Sequence, residues 1–506
     1  MAVNQLKGGV ALSYVIILLT NGIGLVLTPF IIRSLGQSEY GLWTMIGALV
    51  GYMSVLDFGL NKTIVRFVAK YRAENDRKGE ENFLAHGFIM YGIISLMVVG
   101  GGLTVYFNLD TLYGNTLTVE ELGKAKIMFL ILIFNLAISL PGGAFTGICS
   151  GYEEFILPRT ANIIRYVSRS LLVVALLLYG GDSVGIVIVD TSMNLLIIAV
   201  NMTIVFKRLK VKIHLHQFDK KLLKLIFGYS IWIFVFALVH QFRWQFGQLI
   251  LGLTFTTSVV AVYAVGITLG NYYGAFSSAI ASVFLPKAMK MVSANVTSTE
   301  LTNMFIRISR IILLVLLYVL GGFILVGEDF VYFWAGELFT DAYLYAVIIM
   351  LGLTLILSQG FGNNILEAKN KIKFRGLLLL FLTLCGAGLG AYLAQEQKGL
   401  GMIIGTVIFM LLERMIMTWY YHSKIGLQMF RYYKEIAPLF FMAFVLIVIT
   451  NYFSQFLPSL SVKYLIVRGV VYSGLYVVLF WFILTNNEKV LVHSTIEKVK
   501  SKIVRK

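Results

Sequence analysis

Long apolar runs separated by short polar segments organise the whole chain. Most runs have the length a helix needs to cross a hydrocarbon core of about 30 Å. A membrane-spanning strand would need only ~10 residues in strict alternation, and the runs do not alternate in that way. They predict fourteen spans, near 11–33, 42–66, 83–107, 125–148, 158–180, 184–206, 223–251, 257–284, 304–326, 340–366, 374–394, 399–421, 436–456 and 464–485. The expected fold class is an all-α integral membrane protein of about fourteen transmembrane helices. The first run is too long for the apolar part of a cleaved signal and reads as the first span.

Composition supports lipid as the solvent. Of 506 residues, 58% are hydrophobic and 13% charged, whereas a soluble domain carries about 25% charged residues. The net charge of +17 would suit nucleic acid if it formed one patch. It is instead divided among the polar segments between runs, so no nucleic-acid partner is expected. Basic segments hold Lys70, Arg72, Arg77 and Lys78, then Lys207, Arg208, Lys210, Lys212, Lys220 and Lys221, then Lys369, Lys371 and Lys373. The tail ends in Lys498, Lys500, Lys502, Arg505 and Lys506. Alternate segments carry Asp182, or Glu328, Asp329, Glu337 and Asp341. The positive-inside rule therefore puts the basic segments and both termini in the cytoplasm.

The longest outward segment, about 108–124, is too short for a catalytic domain, so no enzyme is expected. Cys149 and Cys385 lie in apolar stretches and imply no disulfide framework. No metal-ligand spacing, phosphate-cradling loop or nucleophile elbow is present, and no cofactor is expected.

The chain also repeats itself. Leu140-Pro141-Gly142-Gly143 in the fourth span corresponds to the stretch around Ser358-Gln359-Gly360 in the tenth, with Gly143 and Gly360 offset by 360 − 143 = 217. Ser13 and Ser230 share that offset. The spacing predicts a six-span lobe over 1–210, a second over 211–425, and two added helices with a basic cytoplasmic tail over 426–506. Six spans per copy leave both copies in one orientation, related by an axis near the membrane normal.

Polar groups at membrane depth are costly and mark candidate sites. The seventh span contains His240, Gln241, Arg243, Gln245 and Gln248 on one broad arc of an ideal helix, with Trp244 within it and Phe242, Phe246, Leu249 and Ile250 opposite. This arc predicts a wet face able to bind an anionic sugar lipid; an arginine reaching the outer interface is the competing reading. In the second span, Asp57 and Asn61 share a face, while Lys62, Arg66 and Lys70 form a second stripe, either an anchor or an entrance for phosphate. Asp57 is expected to pair with a lysine, or else to bind a coupling cation. Asp190, Asn194 and Asn201 predict a hydrogen-bonded seam in the sixth span, Asp190 being the other coupling-ion candidate, for H+ or Na+. In the eighth span, Tyr263, Asn271, Tyr272 and Tyr273 offer sugar-stacking or polar surface, and Gly266 and Gly270 close approach. Glu413 and Arg414 read as a packing pair.

Two stretches carry a family resemblance. Thr28-Pro29-Phe30-Ile31-Ile32-Arg33-Ser34-Leu35-Gly36-Gln37-Ser38-Glu39-Tyr40-Gly41-Leu42-Trp43 resembles the first hairpin of bacterial polysaccharide and O-antigen flippases. Leu56-Asp57-Phe58-Gly59-Leu60 with Arg66-Phe67-Val68-Ala69 resembles the end of their second span. These belong to the multidrug/oligosaccharidyl-lipid/polysaccharide exporter superfamily. The resemblance implies two six-helix lobes around a central cationic cavity that opens to either side in turn. It also implies spans one, two, seven and eight as the path, and an undecaprenyl-pyrophosphate-linked oligosaccharide as cargo. A polysaccharide polymerase and a chain-length regulator are the implied protein partners, with membrane lipids around them. The expected cargo contacts are Arg243, His240, Trp244, Gln245, Gln248, Lys62, Arg66 and Asn271. The alternatives are a drug/cation antiporter of the same superfamily, disfavoured because the first and seventh spans contain no carboxylate, and a membrane glycosyltransferase or polymerase.

Overall fold

The computed structural model describes residues 2–57, 59–281, 285–294, 296–369, 371–454, 461–486, 488–490 and 497. The basic tail, from Lys498 to Lys506, falls outside them, as do Phe58 and Asn370. Every regular element among the described residues is helical. In chain order these are α1 (Ala2–Leu35), α2 (Gln37–Ser54), α3 (Leu60–Ala73), α4 (Arg77–Phe107), α5 (Leu109–Tyr113) and α6 (Val119–Gly151). They continue with α7 (Ile156–Leu178), α8 (Ser183–Thr203), α9 (Lys220–Trp244), α10 (Phe246–Thr254), α11 (Thr257–Ala281) and α12 (Leu285–Ser293). The last are α13 (Ser298–Ala335), α14 (Asp341–Ser358), α15 (Gly360–Ala368), α16 (Ile372–Tyr420), α17 (Met429–Ser454) and α18 (Val462–Ile483).

Eleven helices among the described residues are long and apolar enough to cross a membrane. One of them, α16, includes the eleventh and twelfth expected spans, joined through non-helical Lys398 at φ 49° and ψ −131°. The second and seventh expected spans are not continuous helices. A 3-10 turn at Val55–Asp57 and Gly59 at φ 69° separate α2 from α3. Gln245 separates α9 from α10. A helical wheel drawn through the second span misplaces its far end at Gly59, whereas the seventh keeps right-handed helical φ and ψ at Gln245 and is divided only by a local turn.

Local chemistry explains several helix starts. Thr118 and Glu121 cap α6 reciprocally, Glu121 N–H donating to Thr118 Oγ1 at 3.2 Å and Thr118 N–H to Glu121 Oε2 at 2.9 Å. Asp76 and Asp182 accept the backbone N–H of Gly79 and Gly185 at the starts of α4 and α8. Each of these bonds satisfies an N–H that the helix itself leaves unpaired. Helix ends keep the sequence offset at one point: α6 ends at Gly151 and α15 at Ala368, 368 − 151 = 217. The break at Gln359 between α14 and α15 falls near the counterpart of Pro141, which sits inside α6.

Contacts divide the chain into two units. The first comprises Met1–Ala264 and Ala387–Met402, the second Val265–Gly386 and Ile403–Lys506. In the first unit, α6 is central and packs on α2, α3, α4 and α8, while α1 packs on α7 and α7 on α8. Leu60, Ile64, Phe67 and Val68 of α3 form a core with Phe83 and Leu84 of α4 and Phe145 and Ile148 of α6. Gly143, Gly147 and Gly151 recur every four residues, so they share one face of α6. α3 lies against that face: Ile64 meets Gly147 and Val68 meets Gly151. A β-carbon on Gly151 would sit 2.7 Å from Val68 Cγ1, closer than van der Waals contact allows. Gly151→Ala should therefore cost about 1–3 kcal/mol by overpacking, read as a lower apparent melting temperature of detergent-solubilised protein with the elution profile preserved.

Pro141 removes one helical N–H and so frees the carbonyl of Ala137. Ser95 Oγ on α4 donates to that carbonyl at 2.8 Å. Asn61 Nδ2 on α3 donates to the Gly143 carbonyl at 2.6 Å. Polar side chains thus complete the backbone of α6 where its sequence disturbs the helix.

In the second unit, α13 carries α14, α17 and α18. Arg310 holds one end, with Nε 2.7 Å from Glu488 Oε1, Nη1 2.6 Å from the Glu435 carbonyl and Nη2 3.1 Å from the Ile483 carbonyl. Burial by itself would raise the Glu488 carboxyl, but Arg310 and the backbone N–H of Thr485 hold it below the usual carboxylate range. Arg468 pairs with Asp329 at 2.8 Å near the other end of α13. The expected Glu413–Arg414 pair is present and buried, Arg414 Nη2 lying 3.2 Å from Glu413 Oε2 and Nη1 3.0 Å from Gln359 Oε1.

Candidate functional site

The polar stretch of the seventh span closes α9 and opens α10. Gln245, at φ −107° and ψ −22°, stays in the right-handed helical region and its N–H bonds the Gln241 carbonyl at 2.9 Å, so α9 and α10 meet at a local turn. Gln241, Trp244 and Gln248 are buried, Arg243 and Gln245 are half-buried, and His240 is exposed. The Gln241 amide lies against the backbone of Gly51, where a β-carbon would come within 2.1 Å of Nε2. Tyr52 Oη donates to the Gln241 carbonyl at 3.2 Å, and its ring meets Phe242 edge-on at 5.4 Å. Phe242 also packs on Phe246 at 5.3 Å. Three of the six polar or amphipathic positions therefore pack inside the unit, and His240 and Arg243 are the more open pair. Arg243 lies in the last turn of α9, where the carbonyl end of the helix dipole favours a cation.

The second-span break adjoins this stretch, since α9 packs on α3 and on the turn at 55–57. Asp57 accepts a hydrogen bond from Tyr91 Oη at 3.0 Å and from the backbone N–H groups of Gly59 and Asn61. No lysine pairs with it among the described residues, which corrects the expected Asp57–lysine pair. The reason is local: once the helix stops at Gly59, the carboxylate caps the start of α3, and a buried tyrosine completes its shell. Lys62 and Arg66 are exposed on α3, as a stripe should be.

Asp190 is held by Arg169 of α7 in a bidentate pair, Nε to Oδ1 at 2.5 Å and Nη2 to Oδ2 at 2.9 Å. The expected seam exists beside it. Asn194 Nδ2 donates to Asn135 Oδ1 at 2.7 Å and to Ser139 Oγ at 2.5 Å, and Asn201 Nδ2 to Thr146 Oγ1 at 3.1 Å. In the second unit, Asn271 is exposed on α11, but Tyr273 is buried, its hydroxyl 2.6 Å from Thr354 Oγ1 and donating to the Leu316 carbonyl at 3.2 Å. Tyr263, in the first unit, is buried too. These two tyrosines pack rather than offer stacking surface, because the small Gly247, Gly266 and Gly270 let neighbouring helices approach closely.

One cluster escaped the sequence reading. Lys124 of α6 lies 3.1 Å from Glu39 of α2 and 3.8 Å from Asp182 at the start of α8, while Glu39 Oε1 accepts the Ser183 N–H at 2.7 Å. Glu121 accepts hydrogen bonds from Ser38 and, at 2.8 Å, from Thr257 Oγ1. Four helix N-termini, of α2, α6, α8 and α11, are tied together by these carboxylates. The available signal was acidic residues in first turns, Glu39, Glu120 and Glu121.

The model of the family described as "Polysaccharide biosynthesis protein" matches residues 6–292, more than half of the chain. The chain belongs to that family. The matched region contains the interruptions of the second and seventh spans and the polar residues around them. A Shigella flexneri protein described as a candidate O-antigen transporter is 20% identical over 404 residues, which are 78% of this chain and 92% of that protein. Among solved structures, the lipid II flippase MurJ in an inward closed conformation superposes with a TM-score of 0.69 at 14% identity, covering 93% of this chain and 98% of MurJ. An inward-facing multidrug resistance MATE transporter of the MOP superfamily gives 0.55 at 15% identity, covering 79% of this chain and 99% of that one. The family member described here thus has the helical architecture of MurJ and MATE transporters, as the resemblance in its first seventy residues implied.

Proposed function

We propose that this membrane protein is a flippase that carries an undecaprenyl-pyrophosphate-linked oligosaccharide, an O-antigen or capsule repeat unit, across the inner membrane by alternating access. The observation that carries the reading is the match to a candidate O-antigen transporter along nearly all of that protein's length, within a polysaccharide biosynthesis family. In this reading the two copies of the six-span repeat, 1–210 and 211–425, expose the path to either side in turn. Arg243 and His240, the open members of the seventh-span stretch, meet the pyrophosphate and sugars, and Lys62 and Arg66 attract the headgroup. The protein transports rather than catalyses, and a polymerase and chain-length regulator act on the unit it delivers.

The MATE-like fold keeps a drug/cation antiporter in view. An antiporter needs a carboxylate free to exchange cations, and here Asp190 is locked to Arg169. Asp57, which a tyrosine and two backbone N–H groups already hold, is the remaining candidate for coupling to H+ or Na+.

Removing the protein from its host should abolish surface polysaccharide, with lipid-linked units accumulating in the inner leaflet and drug sensitivity unchanged. Normal polysaccharide together with raised drug sensitivity would favour the antiporter. Orientation has its own test. Both termini and Lys210 are placed in the cytoplasm and Asn115 outside, so an impermeant thiol reagent should label Asn115→Cys but not Lys210→Cys in intact cells. The reverse pattern would overturn the topology.

A further inference from the structure

A cavity of about 270 Å3 lies within the first unit, lined by α6, α7 and α8 and by the turn before α7. Its positive charge comes from α7, while Ser139, Thr146, Asn194 and Asn201 add polar groups from α6 and α8. Arg159, Asn162, Arg165 and Arg169 recur every three or four residues and so share one face of that helix. Arg169 is neutralised by Asp190, but Arg159 and Arg165, which line the cavity, are not. Arg159 lies 5.0 Å over the Phe155 ring, and Arg165 Nε donates to Asn162 Oδ1 at 3.0 Å. Among the described residues neither guanidinium forms an ion pair with a carboxylate. The one acid in the lining, Glu154, is already held by Arg208 at 3.2 Å and by Gln5 at 3.1 Å.

Two half-buried guanidinium groups that form no ion pair beside one cavity favour an accompanying anion. A second observation points to a ligand. Asn201 is 5% exposed and lines the same cavity. One end of its amide bonds Thr146, while Oδ1 has no partner. A buried amide end without a partner carries a desolvation cost of about 1–3 kcal/mol, which a ligand hydroxyl would remove. The volume sets the ligand's size. It falls just below the roughly 300–1,000 Å3 typical of ligand pockets, a size that suits a headgroup rather than a several-sugar unit.

We propose that this cavity is a binding site for a phosphoryl group, with Arg159 and Arg165 donating to its oxygens and Asn201 to or from an adjoining hydroxyl. Two forked, permanently charged donors match the several oxygens of a phosphate. The group belongs to the diphosphate of a lipid-linked sugar, to an anionic phospholipid, or to free phosphate. The proposal does not depend on the flippase reading, because binding is measured on the purified protein whether or not anything is flipped.

The test uses full-length protein and three probes: inorganic phosphate and pyrophosphate in micelles, and nanodiscs of phosphatidylglycerol compared with phosphatidylcholine. A ligand that binds only the folded state raises the unfolding midpoint with its concentration. Wild-type protein should be stabilised by at least one probe. Arg159→Gln/Arg165→Gln should weaken that probe's binding more than about tenfold, a change of roughly 1.4 kcal/mol. The lysine pair Arg159→Lys/Arg165→Lys should weaken it less, and exposed Lys290→Gln should leave it unchanged. Stabilisation by pyrophosphate or phosphate in micelles assigns a soluble or cargo-borne group, and stabilisation by phosphatidylglycerol alone assigns a lipid headgroup. If the double variant does not fold, Arg159→Gln, which breaks no ion pair, makes the same comparison. Equal stabilisation of wild type and arginine variants by every probe, or of neither, would overturn the site.

Discussion

Arg243→Ala should leave the protein at normal levels in the membrane while surface glycan disappears. The two consequences separate because Arg243 has two distinct properties. As a cation in the last turn of α9 it complements the helix dipole, a contribution of about 0.3–1 kcal/mol, too small to unfold the protein. As a fork-shaped donor on the half-buried side of the broken seventh span, it can hold a diphosphate through two bonds. Truncating such a charge-assisted contact costs about 2 kcal/mol or more, over tenfold in affinity. Arg243→Lys discriminates between these properties. It keeps the dipole contribution but loses the fork, so display should recover only in part. Antibody or lectin staining for glycan, beside an immunoblot for the protein, gives both readings. Full display in Arg243→Ala cells would reduce this residue to a helix-end cation.

The second large effect falls on stability. Arg169→Leu leaves the Asp190 carboxylate without its bidentate partner inside the bundle. Removing one member of a fully buried pair costs about 3–5 kcal/mol, and this half-buried pair should cost less than that, while replacing both members with apolar residues is often close to neutral. Arg169→Leu should therefore accumulate poorly, and Arg169→Leu/Asp190→Leu should recover most of the yield and melting temperature. Size-exclusion profiles after heating give the comparison. Recovered folding without recovered glycan display would assign the pair a part in transport as well as in packing.

Much of this was legible from the chain. A run of apolar residues long enough to span lipid has one stable outcome, because backbone groups in hydrocarbon must be satisfied internally. The helices therefore follow the runs. The breaks were harder to see. Gly59 signals its break through a positive φ that glycine tolerates, yet it lies among other glycines that stay helical. Gln245 has no glycine or proline beside it except Gly247, and it keeps right-handed helical φ and ψ, so no residue type marks the junction of α9 and α10. The periodic wheel through 240–248 consequently merged buried Gln241 and Gln248 with open His240.

The site residues show a second limit. Asp190 was visible as a carboxylate at depth, and periodicity gave its face but not the neighbour across from it. Arg169 lies on the preceding span, and its partnership depends on how α7 turns about its axis against α8. The arginines of α7 were legible in principle, since 159, 165 and 169 fall on one face. The apolar residues between them carried the segment as an ordinary span, and the polar stripe went unweighed.

The bonds that mend α6 also constrain how the protein can move. Ser95 of α4 and Asn61 of α3 each donate to carbonyls of α6 around its proline, and glycines seat α3 directly on α6. Sliding any one of these helices past the others would strand a carbonyl in lipid-like surroundings, at a cost of a few kcal/mol. The three should consequently travel as one rigid block. Their backbone amides should exchange with solvent more slowly than those at the Val55–Asp57 turn and Gly59, which are left to absorb the bending.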